Sequence, residues 1–503
     1  MNAPAPARVN SPSRWKGRAV RWDELTARGG TESFTTGDRL DPYWGGMWTQ
    51  GSSAVWVSEQ LARTQAGAGL ARIPTGLDRD ADDALADLTS SRNLGSTLAA
   101  LACVDQWRTV SAEQLAALTG WKRLAKPLSR TMASAFACGL VDRGTFASAL
   151  LPGASRDRAT VYRPSRTDAF ERALEPLLSY EQKVAVTGGV PWDFRRQYDR
   201  HNLLTVELAL RVAEWCEVGT VLGEKLSTVE LLAGEGLGRT ALHDERAADM
   251  TIVRTDGMRI AVELTASAGP DFKEKVRRWA HLLADQSLAA SGLTVLFVEA
   301  APADGEHRFG SGASVRSSVY KAVAEVVREF PGTGADRVAD RIGVVSWAQW
   351  FPGHGFATDE FTRLEVDRPT GPASDRWHRA ALLDEIDVPF SSHDPGVMTA
   401  VIDNASMLLG TPHWLRERDR APHLWPLLAQ RAGWSGLPVP PPARPSRVVG
   451  IYPDATVGVV GATRAPRRMR TDDADPRPSA FTARAERSPV SGVVVRGSVR
   501  DVW

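Results

Sequence analysis

The sequence predicts an α/β multidomain chain: a module of three helices and a hairpin, then an α/β sandwich on a mixed sheet, then a disordered C-terminal tail. Three observations carry this. Apolar residues recur at helical spacing through residues 94–137 and give way to two alternating stretches. Strands and helices alternate from 195 to 350. From LPVPPPARPSR (437–447) onward the chain is Pro-rich and polar, and it cannot bury enough apolar surface to fold.

At 503 residues the chain exceeds one ordinary core, so two or three domains and tails are expected. A hydrophobic fraction of 43% with 24% charged residues is ordinary for a globular protein. A net charge of +1 provides no global field for nucleic acid, so any DNA-binding surface is a local patch. Cys103, Cys138 and Cys216 are scattered without metal-ligand spacing and read as buried apolar residues in a reducing cytoplasm. The N-terminal basic residues precede no apolar run, and no 18 apolar residues follow one another. The expectation is a cytoplasmic protein with no membrane partner. Lysine occurs eight times against 53 arginines, and four of the eight, Lys122, Lys126, Lys273 and Lys275, fall in two short stretches.

Residues 1–90 are Gly-, Ser- and Thr-rich and include the aromatic cluster DPYWGGMWTQGSSAVWVSEQLA (41–62). It reads as an irregular segment packed onto the main body, or as a partner-docking arm through Trp44, Trp48 and Trp56. Over 91–172, Leu94, Leu98 and Leu101 mark a first helix. Ser111 and Gln114 form a capping box for a second. GWKRLAKPLSRTMASAFACGL gives a turn and a third helix, with Pro127 admissible only near its first turn and Gly139 as its stop. VDRG and RATVYRPS then alternate like two strands of a wing. Helix, helix, helix, hairpin is the winged helix-turn-helix order. Its recognition helix would offer Lys122, Arg123, Lys126, Ser129, Arg130 and Ser134 to phosphates and base edges, and the wing would add Arg156, Arg158 and Arg163.

Over 190–352 the elements are the helix DRHNLLTVELALRVAEWCE, GTVLGEKL, a hairpin RAADMTIVRTDGMRIAVELTAS (246–267), the helix DFKEKVRRWAHLLADQ, the strand GLTVLFVEA, the helix SVRSSVYKAVAEVVREF and the strand RIGVVSW. Residues 375–434 hold two or three further helical stretches, and 437–503 form the tail, with a basic run RAPRRMR (464–470). The Gly-rich GEGLG and FGSGAS lack the strand, spacing and Lys of a phosphate loop.

The hairpin poses a physical problem. A three-residue loop, Thr255-Asp256-Gly257 with Gly257 left-handed, pairs Arg254 with Met258 and sets Asp249 across from Glu263. That register gathers Met250, Ile252, Ile260, Val262 and Leu264 on one apolar face; a two-residue turn would mix acids into the core. Opposed carboxylates cost some tenths of a kcal/mol or more. A hard divalent cation, Mg²⁺ or Mn²⁺, would reverse the sign. So would pairing of Asp249 with Arg246 or Arg259 and of Glu263 with Lys275.

An Asp on the second strand and a Glu on the third, between an acidic helix and a lysine-bearing one, resembles the PD-(D/E)XK nuclease-like fold, a restriction-endonuclease-like α/β sandwich. The motif stands here as Ala248-Asp249, then Glu263-Leu264-Thr265, so the proline is missing and Thr265 occupies the usual lysine position. Some members carry the lysine on the following helix, where Lys273 and Lys275 lie. The resemblance implies Asp249 and Glu263 as metal-holding acids, Lys275 as the catalytic lysine and Glu207, on the preceding helix, as a third ligand. Glu207 otherwise pairs with Arg211 on a surface stripe with Glu214, and His201 reads as a structural hydrogen-bonding residue.

With the winged-helix pattern of 94–164, the stretches RHNLLTVELAL, DERAADMTIV and VELTASAGPDFKEKVRRWAHLL resemble the replication-relaxation family of plasmid and mobile-element proteins over residues 91–350. The resemblance implies binding of double-stranded DNA in replication initiation, relaxation or mobilisation, with replication or conjugation proteins as partners. The Thr265 departure favours an inactive nuclease-like domain. An active Mg²⁺-dependent endonuclease and a protein-binding scaffold are the alternatives.

Overall fold

The computed structural model describes residues 17–416 apart from 31–33, 49–51, 148–159, 189–191, 193–197, 228–247, 302–311, 335 and 372–375. The tail 437–503, residues 417–434, Arg156, Arg158 and Arg246 lie outside the described residues.

The aromatic N-terminal segment is anchored through its polar ring atoms. Trp48 Nε1 donates to the Ala300 carbonyl at 2.6 Å, Trp44 Nε1 to that of Phe351 at 3.2 Å, and Tyr43 Oη to that of Ala301. Strand β1 (Ala19–Arg21) pairs antiparallel with Phe356–Thr358. Strand β2 (Ser53–Val57) precedes helices α1 (Glu59–Gly67) and α2 (Ala81–Thr89). The packing reading of the cluster therefore holds, with regular elements where an irregular segment was expected.

Next come α3 (Leu94–Trp107), β3 (Val110–Ser111), α4 (Ala112–Thr119), α5 (Arg130–Ala137), β4 (Val141–Ala147) and β5 (Thr160–Pro164). Ser111 and Gln114 make the capping box, and Gly139, at φ +69°, ends the turn after α5. The sheet order is β2-β4-β5-β3, so the N-terminal strand has joined the hairpin. Trp56 of β2 lies opposite Gly144, where a Cβ would come within 2.8 Å of the indole.

The α/β body follows: α6 (Tyr180–Thr187), α7 (Asp199–Trp215), β6 (Thr220–Gly223), β7 (Met250–Val253), β8 (Arg259–Thr265), α8 (Pro270–Asp285), β9 (Leu293–Glu299), α9 (Gly312–Glu329) and β10 (Ile342–Ser346). The sheet does not stop at residue 352. After β11 (Phe356–Thr358), strands β12 (Glu365–Pro369) and β13 (Trp377–Ala381) extend it, giving the order β13-β12-β10-β9-β8-β7-β6. β8, β9 and β10 are parallel neighbours and the other pairs are antiparallel. Helix α10 (Pro395–Ala405) packs Val401 and Ile402 with Leu222 of β6.

The sheet's two faces have different partners. Met250, Ile252, Ile260, Val262 and Leu264 share a core with α7, α3 and α4; Ala261, Val295, Phe297 and Val344 pack on α8 and α9. One continuous core thus joins the helical module to the sandwich.

Helix α7 is buried from Asn202 to Trp215, polar stripe included. Arg39 donates from Nε and Nη2 to the two oxygens of Glu207 at 3.1 and 3.0 Å and pairs with Glu214, while Arg211 pairs with Glu207 at 3.0 Å and Asp41 at 2.8 Å. Removing one member strands a charge in low dielectric, so Arg39→Ala should lower unfolding free energy by about 3–5 kcal/mol. Arg28→Ala, at the exposed Arg28–Glu217 pair, should cost below about 1 kcal/mol. Urea unfolding of both variants against wild type checks this.

Candidate functional site

The hairpin adopts the three-residue loop. Val253 pairs with Arg259 and Met250 with Val262, the Arg254 amide donates to the Met258 carbonyl at 2.8 Å, and Gly257 stands at φ +88°. The paired ladder ends at Met250–Val262; Asp249, just before β7, shifts off that register, its amide donating to the Val262 carbonyl at 3.0 Å, so the expected direct opposition to Glu263 gives way to a position beside the end of the ladder.

Two cations from opposite sides resolve the like charges. From the first turn of α7, His201 Nε2 lies 3.0 Å from Asp249 Oδ1; from α8, Lys275 Nζ lies 2.7 Å from Glu263 Oε2. The remaining oxygens accept from the Leu264 amide (2.7 Å, to Asp249 Oδ2) and Trp279 Nε1 (2.7 Å, to Glu263 Oε1). Lys275 and Trp279 share a helix face at i,i+4, so one face of α8 supplies both donors to Glu263. The pairing of Glu263 with Lys275 is as the sequence allowed. Asp249 pairs with His201, and Arg246 lies outside the described residues.

The environment drives the two acids apart. Burial works to raise Asp249, but His201, Lys275 and the Leu264 amide outweigh it and hold the carboxyl down at about 2. Glu263 is raised, because burial and the neighbouring Asp249 charge outweigh Lys275 and Trp279. Lys275 is raised by Glu263 and Asp249 against burial, and His201 by Asp249 against burial.

Beside this tetrad lies a cleft of about 640 Å³ at the C-terminal end of β8, lined by Thr265, Ser267, Phe272, Lys275, Arg278 and Val315 among others. Thr265 occupies the position of the usual lysine and turns its hydroxyl to the Ser267 carbonyl at 2.6 Å. Arg278, one turn beyond Lys275, keeps a buried Nε with no hydrogen-bond partner among the described residues. Donors on this cleft suit an anion such as a phosphodiester.

The expected divalent-metal set is not assembled. All four oxygens of Asp249 and Glu263 already have protein donors, and two protein cations balance their charge. Glu207 is spent on Arg39 and Arg211, because the α7 stripe faces the N-terminal segment instead of solvent or the acids. Among the described residues no group of three His, Cys, Asp or Glu side chains is placed to hold a metal ion. These residues do not fit a resident Mg²⁺ or Mn²⁺ unless Lys275 or His201 is displaced.

The residues expected to read DNA are distributed unevenly. Lys122 and Lys126 are exposed in the turn before α5. Arg123 lies with its guanidinium 4.9 Å from the Trp121 ring centroid. Ser129 is buried and caps α5. Arg130 is drawn to Asp87 of α2, Nη2 to Oδ1 at 2.8 Å, and Ser134 donates to Asp87 Oδ2 at 2.8 Å. Helix α5 is buried from Thr131 to Ala137, with α2 packed along it, so its side chains are not offered to a groove. Arg163 pairs with Asp142 at 3.1 Å and stacks on Trp56 at 4.2 Å. Local sequence could not reveal Asp87, which reaches α5 across more than forty residues. Arg278, by contrast, was within reach of i,i+3 reasoning from Lys275.

No protein-family model, curated protein or solved structure matches the chain. Among the described residues no helix is long and apolar enough to cross a membrane.

The His201–Asp249 pair makes stability depend on pH. A raised His201 contributes stability that is complete below its unfolded value of 6.5 and is lost as pH rises through the folded value. As pH rises above 6.5 wild-type stability should fall, and His201→Gln should flatten that slope. Denaturant unfolding across this range checks it. A depressed Asp249 acts in the opposite sense, its contribution being lost as pH falls from 3.8 toward about 2.

Proposed function

We propose that the protein binds DNA and that its α/β body is a nuclease-like platform, catalytically silent, whose cleft beside Lys275 and Arg278 receives a backbone phosphate. The observation that carries this reading is the meeting of Asp249 with the Glu263–Leu264 end of β8, its Oδ2 on the Leu264 amide, with Lys275 brought to Glu263 by the next helix. Helix α7, the meander β6-β7-β8, helix α8 and strand β9 run in the order that the PD-(D/E)XK resemblance implies. The order α3, β3, α4, α5, β4, β5 likewise agrees with a winged helix-turn-helix. Double-stranded DNA of a plasmid or other mobile element, in replication initiation, relaxation or mobilisation, is the partner and setting we assign.

In this reading the acids are positioning groups. Glu263 and Trp279 fix Lys275 at the cleft wall, and Asp249 ties the hairpin to α7 through His201. The metal-dependent endonuclease is the second reading. Two carboxylates, one just before β7 and one on β8, favour it, and it requires Lys275 to release Glu263.

Nucleic-acid binding should weaken with salt, and Lys275→Ala with Arg278→Ala should reduce the slope of log affinity against log salt by about 1.4–1.8. Calorimetry with Mg²⁺ on the full chain should give no binding that depends on Asp249 and Glu263. Metal binding abolished by Asp249→Asn and Glu263→Gln, with DNA cleavage, would establish the second reading instead.

A further inference from the structure

Helix α5 is walled in by α2, so a module of this shape cannot lay α5 in a major groove as it stands. What remains on that side is the turn between α4 and α5. Trp121 is 41% exposed, unusual for a residue this large and apolar, and its backbone is fixed: its amide donates to Thr119 Oγ1 at 3.2 Å and its carbonyl accepts from Leu124 at 2.8 Å. Arg123 braces the indole from one side, and it is itself held by Ser96 Oγ at 2.5 Å. Lys122 and Lys126 belong to the same turn, exposed and without an ion-pair partner among the described residues. Leu128, 47% exposed, continues the apolar surface.

A half-exposed indole in one short turn with two exposed lysines matches the needs of an unpaired base and neighbouring phosphates. A duplex keeps its bases stacked inward and gives such a ring nothing to stack on. We infer that the turn Trp121–Lys126 is a binding surface for single-stranded nucleic acid, stacking one base on Trp121 without reading sequence. The inference rests on the DNA-binding reading and adds to its duplex partner a surface for strands that become unpaired. It is independent of the Lys275 cleft.

The test is fluorescence anisotropy of the full chain with a labelled oligothymidylate of roughly 12 nucleotides and with a duplex of the same length. Wild type should prefer the single strand. Trp121→Ala should weaken that binding about ten-fold, Trp121→Phe should restore most of it, and duplex affinity should stay unchanged. Lys122→Ala with Lys126→Ala should lower the single-strand salt slope by about 1.4. Duplex binding at least as tight as single-strand binding, with Trp121→Ala silent, overturns the inference and leaves DNA binding standing. So does a gain of duplex affinity over single strand in Asp87→Ala, since α5 would then be the reading element under a removable cover. Binding of neither form overturns the inference and the DNA-binding reading together.

Discussion

Two arginines and three carboxylates, sealed between α7 and the N-terminal segment, hold the rest of the molecule in register. Arg39, Asp41, Glu207, Arg211 and Glu214 have almost no exposed side-chain surface. Charges so desolvated are stable only while all the partners are present, so the segment cannot leave without stranding them. Arg211 also lies over the rings of Trp22, Trp347 and Phe351, at 5.1, 5.3 and 4.5 Å, which couples the helix to the N-terminal segment and to the stretch between β10 and β11. The split in proton affinity follows the partners. Burial alone would raise both glutamates; Glu207, with two arginines, is lowered, and Glu214, with Arg39 alone, is raised.

Fixing α7 also fixes its first turn, and through it the site. His201 can meet Asp249 only if the helix start and the β7 edge keep their spacing, and Trp48 packs near its imidazole, ring centroids 6.3 Å apart. The acids therefore serve as anchor points for two helices on opposite faces of the sheet, α7 through Asp249 and α8 through Glu263. Opposed carboxylates in a bare hairpin are a local defect. Here the two acids, at neighbouring ends of β7 and β8, are the means by which three layers are tied together.

Much of this was legible in the chain, for identifiable reasons. The hairpin register follows from the period of two, because any slip carries acids into the core where Met250 and Ile260 belong. Lys275 and Trp279 follow from helical periodicity. What local patterns could not reveal lies far off in sequence. Glu207 looked like a surface residue because its partner Arg39 sits 168 positions earlier. The helix carrying Arg130 looked free for DNA because α2, which covers it, is amphipathic in an ordinary way and does not announce its target. β12 and β13 were missed because short strands at a sheet edge carry little period.

The direction of access to the acid pair bears on its chemistry. After β9 the chain is tied down by Trp48 and Tyr43 at Ala300 and Ala301, and His201 closes the α7 side of Asp249. The cleft opens instead between α8 and α9, where Thr265, Ser267, Lys275 and Arg278 come before the carboxylates. Every carboxylate oxygen behind them already has a protein donor, and Asp271, the acid among the lining residues, stands exposed at the rim. Arg278 still has a buried donor without a partner, the kind of group that buried polar chemistry rarely leaves unmet. A ligand arriving from solvent meets hydrogen-bond donors and positive charge first. The two acids, each with both oxygens occupied by protein donors, keep Lys275 in place at the cleft wall.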